Sequence, residues 1–153
     1  MSAIKTQEVE ETVNKLMQSS EDQLYEDLGV RVKAFATNGA ATASFSSTPT
    51  YDAKQMGLRD DLRAFGKAWF KGIMTSAHEL ICGDSPDWKE DRDKIKSTFG
   101  LGTTAVTTAI ACALATNAII PAAIAAVVAT LIVKIFFKSA YDAFCANWKQ
   151  KLG

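Results

Sequence analysis

The 153-residue chain has one histidine, three cysteines, three prolines and no excess of either charge. Each shortage excludes something. With His78 as the only imidazole, a two-histidine zinc site cannot be assembled. Cys82, Cys112 and Cys145 are odd in number, widely spaced and without a CxxC, so a secreted disulfide framework is not expected. Cys112 and Cys145 lie in apolar runs and read as free core residues, which points to a reducing cytoplasm. Acids and bases number 17 each, which argues against a basic nucleic-acid binder and an acidic solvating chain alike. No GxGxxG or P-loop occurs. The start MSAIKTQEVEETVNK is polar and acidic where a signal peptide needs a basic and then an apolar stretch, and no C-terminal lipidation box is present. Neither export nor lipid anchoring is therefore expected.

What remains is an ordinary globular composition, 48% hydrophobic and 22% charged. The length suits one domain over residues 1–153 with a core that needs no metal. Val9, Val13, Leu16 and Met17 follow helical spacing, with Ile4 upstream and Glu8, Glu10 and Glu11 early, where the helix dipole favours acids. Ser20-Glu21-Asp22-Gln23 reads as a capping box. It opens a second helix with Leu24, Leu28, Val32 and Phe35 on one stripe, although Gly29 weakens it and VRVKAF also alternates like a strand. Residues 36–50 are rich in Ala, Ser and Thr and read as a long loop. Residues 58–82 form an amphipathic helix whose expected buried stripe runs from Leu58 through Leu62, Phe65, Trp69, Ile73 and Ala77 to Leu80. Gly83 ends it. Ser85-Pro86 then starts a short charged helix that closes near Gly100 and Gly102.

The most unusual stretch lies between Lys96 and Lys134, where no Asp, Glu, Lys, Arg or His occurs. Asn117 and Pro121 divide it into two arms. A helix apolar on every side is a core helix or a membrane span. Each arm is shorter than the roughly 20 apolar residues a span requires. A buried helical hairpin, wrapped by the upstream amphipathic helices, explains the pattern without a membrane. The charge distribution favours a second reading, since the chain carries a net −3 over residues 1–96 and +3 after them. In composition the segment resembles the buried apolar hairpin of pore-forming colicins and the alanine-rich helices of circular bacteriocins, over roughly a third of the chain. The likeness extends to no shared motif.

Chemistry is sparse. His78 and Cys82, in HELIC, sit four residues apart on one helix face and could touch one ion, but no further ligand is demanded by the spacing. No metal and no cofactor are expected. Asp60-Asp61 and Glu90-Asp91 are sequence neighbours that face apart on a helix, so acid–base catalysis is not expected of them. Lys89, Arg92, Lys94 and Lys96 are interleaved with Glu90, Asp91 and Asp93, which cancels most of a phosphate-binding field; no nucleic-acid partner is expected.

The expectation is an all-α, compact bundle of about five to six helices around a C-terminal apolar hairpin. Residues 1–96 supply amphipathic and charged helices, and residues 103–150 supply the hairpin and an amphipathic C-terminal helix. The expected function is that of a non-enzymatic cytoplasmic interaction or accessory protein that contacts a protein partner or itself. Phe45, Tyr51, Trp88 and Trp148 are the partner-facing candidates, because aromatic residues are enriched at interface hot spots. The alternative is a membrane-active toxin or defence effector whose hairpin, 103–137, inserts on activation.

Overall fold

In the computed structural model, which describes residues 6–117 and 120–152 (for Thr6 and Gln55 the backbone only), the capping box at Ser20 is fully formed. Ser20 Oγ accepts the Gln23 N–H at 3.2 Å, and the Ser20 N–H donates to Gln23 Oε1 at 2.8 Å. Two otherwise orphaned donors are thereby satisfied. The cap separates α1 (Thr6–Met17) from α2 (Glu21–Thr37). In α1, Val9, Val13 and Leu16 are buried as the spacing predicts, whereas Ile4 lies outside the described residues. The strand alternative at VRVKAF is overruled, since α2 runs through it to Thr37.

α3 (Arg59–Cys82) is the long amphipathic helix, but its buried line is Leu62, Gly66, Phe70, Met74, Ala77 and Leu80. Phe65, Trp69 and Ile73 fall on the half-buried flank, and Leu58, the expected first member, is 70% exposed. The rotation follows from two glycines. A methyl group on Gly29 would overlap the Leu62 carbonyl, and one on Gly66 would overlap the Tyr25 carbonyl. The α2 and α3 backbones therefore touch, and α3 must turn a glycine rather than a large side chain towards α2.

Between them, residues 38–58 are better ordered than a bare loop. A 3-10 turn (Gly39–Thr42) is capped by Asn38 and a single helical turn (Ala53–Met56) by Asp52. Thr42, Phe45 and Met56 are buried, and the Ser46 N–H donates to Glu8 at 3.2 Å, tying the segment to α1.

Ser85 caps the Pro86–Trp88 turn that leads into α4 (Lys89–Ser97). The uncharged segment then forms α5 (Thr103–Thr116) and α6 (Ala122–Phe136), a hairpin at the centre of the molecule. Every residue of α6 from Ala123 to Val133 is buried, with α1, α2 and α5 packed around it. Two hydroxyls in this apolar hairpin are satisfied locally: Thr107 donates to Thr103 O at 2.7 Å and Thr130 to Ala126 O at 2.8 Å. Arg31, 5% exposed, donates from Nη1 to Ala123 O at 2.7 Å and pairs with Asp27 at 2.9 Å.

The helix that follows Pro121 breaks at Phe137, and α7 (Tyr141–Leu152) leaves α6 at 93°. Among the described residues the bundle therefore has seven helices beyond the single turn, one above the expected count, and no strand. The bend lets α7 fold back. Asn147 Nδ2 donates to Phe136 O at 2.9 Å and Lys151 Nζ to Ile135 O at 3.3 Å, so side chains of α7 satisfy the last carbonyls of α6. No single helix is long and apolar enough to cross a membrane among the described residues.

Candidate functional site

The segment 38–58 and the end of α2 enclose a cleft of about 630 Å³. Ala34, Thr37, Ala41, Pro49, Tyr51 and Met56 are among its lining residues, and Asp52 is the one formally charged group there. Tyr51 is fixed at its edge. The hydroxyl donates to the Gly57 carbonyl, and the Arg59 guanidinium lies 4.2 Å above the ring. Arg59 also meets Glu26 at 2.8 Å, which joins the cleft's rim to α2. Two large apolar side chains that adjoin these residues in sequence stand in solvent. Phe35 follows the lining residue Ala34 and is 46% exposed; Leu58 follows Gly57.

The other candidates separate on burial. Phe45, 5% exposed, belongs to the main core. Trp148 is fully buried, with its ring stacked at 5.4 Å on Phe136. Neither offers surface to a partner in this conformation, because both aromatic rings are spent in packing. Trp88 is half-buried against the main core, so its removal costs packing as well as surface. Tyr51 borders the open cleft described above.

A second pair of clefts, of about 510 and 300 Å³, meets at Cys82. Here the sequence reading of the cysteines is corrected. Cys145 is not a free core thiol: it is bonded to Cys82, with Cα atoms 5.7 Å apart. Only the fold brings together two residues separated by 63 positions. Cys112 remains free and half-buried, and burial pushes its thiol above the ordinary range. His78 turns its Nε2 to the Cys145 carbonyl at 3.3 Å and meets the Trp148 ring in a T-shaped contact, with centroids 5.0 Å apart. With Cys82 bonded to Cys145, His78 and Cys82 do not share an ion in this state.

Around the larger of these clefts, Lys89 holds Asp93 at 2.8 Å, and this hydrogen bond lowers the Asp93 pKa. Lys96 lies 5.0 Å from the Tyr141 ring centroid. Burial raises the Tyr141 pKa, against the opposing pull of Arg92. Arg92 is itself buried and bonds the Ser85 carbonyl, while its Nε has no partner among the described residues. Buried arginines at 31 and 92 carried no sequence signal, since charge alone does not tell an exposed helix face from a carbonyl-capping role.

No protein-family model, curated protein or solved structure matches the chain. Function has to be argued from the geometry.

Proposed function

We propose that the protein is a small non-enzymatic helical interaction module whose working face is the cleft formed by residues 34–58. The observation that carries this reading is an open, nearly uncharged cleft with an anchored Tyr51 at its edge, bordered in sequence by two exposed apolar residues, Phe35 next to the lining residue Ala34 and Leu58 next to the Tyr51 anchor Gly57. Exposed apolar groups clustered beside a polar rim are the usual mark of a protein-binding surface. A non-enzymatic role is supported by His78, whose imidazole is engaged by a backbone carbonyl and an indole ring rather than by a nucleophile.

The test is site-directed photo-crosslinking from position 58, followed by reconstitution of the captured protein from purified components. Leu58→Asp should weaken that complex at least about tenfold, roughly 1.4 kcal/mol. Leu101→Asp, at an equally exposed leucine remote in sequence from the cleft, should leave the affinity unchanged. Equal losses from both, or from neither, would reject the face. Sedimentation equilibrium on the purified protein alone tests a second copy as the partner.

A second reading is favoured by one observation of its own: the α5–α6 hairpin, uncharged up to Lys134, holds the longest run of buried residues among those described. A membrane-active protein that opens would carry its inserting element there. Flotation with anionic liposomes and dye release, each without detergent, tests it. The cytoplasmic location expected from unpaired cysteines is proposed only for the dithiol form, because cytosolic thiol pools reduce such bonds; an exported protein would keep the bond closed.

A further inference from the structure

We propose that the Cys82–Cys145 disulfide is a redox-operated clasp that holds α7 over the end of α6, and that its reduction frees α7 while the rest of the bundle stays folded. The inference is independent of which partner the cleft takes.

The bond joins the last residue of α3 to the middle of α7. Cys82 lines both of the clefts that meet there, so a reductant has an approach to the disulfide from open surface. What α7 covers is aromatic: Phe144 and Trp148 are fully buried, packed on one another at 5.7 Å and on Phe99 and Phe136 at 5.5 and 5.4 Å. Further attachments are hydrogen bonds to backbone carbonyls from Tyr141, Asn147 and Lys151, and the contacts of His78 with the Cys145 carbonyl and the Trp148 ring. The opposite face, with Asp142, Ala143, Ala146, Lys149 and Gln150, is in solvent.

The docked α7 also carries a cost of its own: Trp148 Nε1 is buried without a hydrogen-bond partner among the described residues. An indole N–H taken from water and left unpaired opposes the docked state, and release of α7 would return it to solvent. A covalent tether between distant segments offsets that penalty, and cutting it removes the offset.

The chemistry balances with an external dithiol as reductant. One of its thiolates attacks Cys82 Sγ. The S–S bond breaks, and the electron pair leaves on Cys145 Sγ, which takes a proton. The reductant's second thiolate then attacks its own sulfur in the mixed disulfide, and Cys82 Sγ departs and is protonated. The protein gains two electrons and two protons, and the reductant ends as a cyclic disulfide.

The test uses the full chain carrying Cys112→Ser, which prevents disulfide shuffling. Hydrogen exchange read by mass spectrometry compares the oxidised protein, the protein reduced with dithiothreitol without denaturant, and the reoxidised protein. Reduction should expose two alkylatable thiols and speed exchange in residues 141–152 at least about tenfold more than in the α2–α3 region, with the effect reversed by reoxidation. Fluorescence of a dye that reports apolar surface should rise in parallel. Three results would overturn the clasp. These are a bond absent from protein purified without reductant, α7 exchange that does not change on reduction, and faster exchange spread evenly over every helix, which would make the disulfide a global staple. Cys145→Ser, if it folds, should match the reduced protein.

Discussion

Gly29 and Gly66 face one another where α2 crosses α3: a methyl group on Gly66 would come within 3.0 Å of the Gly29 nitrogen and collide with the Tyr25 carbonyl. Backbone meets backbone here, so neither side can give by rotating a side chain. Gly29→Ala and Gly66→Ala should each destabilise the fold by about 1–3 kcal/mol, the usual penalty of overpacking. Gly72→Ala, on the same helix but with open space around the position, should stabilise by about 0.5–1 kcal/mol. Urea denaturation of the three variants checks the contrast.

The disulfide closes a long loop. A separation of 63 residues corresponds, in the chain-entropy model, to about 4 kcal/mol of stabilisation. Cys145→Ser should therefore melt well below the oxidised parent and close to the reduced parent. Calorimetry with and without dithiothreitol measures both.

Ala126 lies in the middle of α6 and is completely buried. Ala126→Asp should leave little folded protein, since an unpaired carboxylate in that position costs more than a domain of this size has to spare. Ala146→Asp, on the exposed face of α7, should change stability by less than about 0.5 kcal/mol. Circular dichroism melting curves distinguish the two.

Two tyrosines predict the alkaline limb of the stability curve. Burial raises the pKa of Tyr25 and of Tyr141 above the ordinary 10.0, with Glu21 and Asp22 adding to the effect at Tyr25 and Asp142 and Asp93 at Tyr141. A folded-state pKa above the unfolded one means that the stability contribution is complete below about pH 10 and is lost as the pH rises towards the folded value. Tyrosinate absorbance should therefore appear later in the native protein than in urea. Tyr141→Phe should remove part of that difference.

At the cleft, Tyr51→Phe deletes the hydroxyl that donates to the Gly57 carbonyl and keeps the ring beneath Arg59. The expected loss is about 0.5–1.5 kcal/mol, with a helical content unchanged by circular dichroism. Tyr51→Ala should lose more, because the stacking goes with the ring.

Several elements were legible without coordinates because they are local. The Ser20 box, the Gly83 stop, the Ser85-Pro86 start and the Asn117–Pro121 break are decided by a few neighbouring residues. The central position of the apolar hairpin was equally legible, since an uncharged run must be buried somewhere. The roll angle of α3 was not. Hydropathy places Phe65 and Trp69 on the buried stripe, while the close approach at Gly66 turns them to its flank. Of the four aromatic candidates, hydropathy could not tell Tyr51 at an open cleft from Trp148 in a sealed core.

By itself, then, the amino-acid order determined the helical class, most helix ends and the identity of the core hairpin, all set by capping, periodicity and the exclusion of charge over short distances. Only the tertiary structure decided that α7 bends back at Phe137, that Cys82 meets Cys145, and that Arg31 reaches the Ala123 carbonyl. Those outcomes depend on which distant surfaces fit together. A pairing across 63 or 92 residues leaves no period or spacing in the chain from which it could be read.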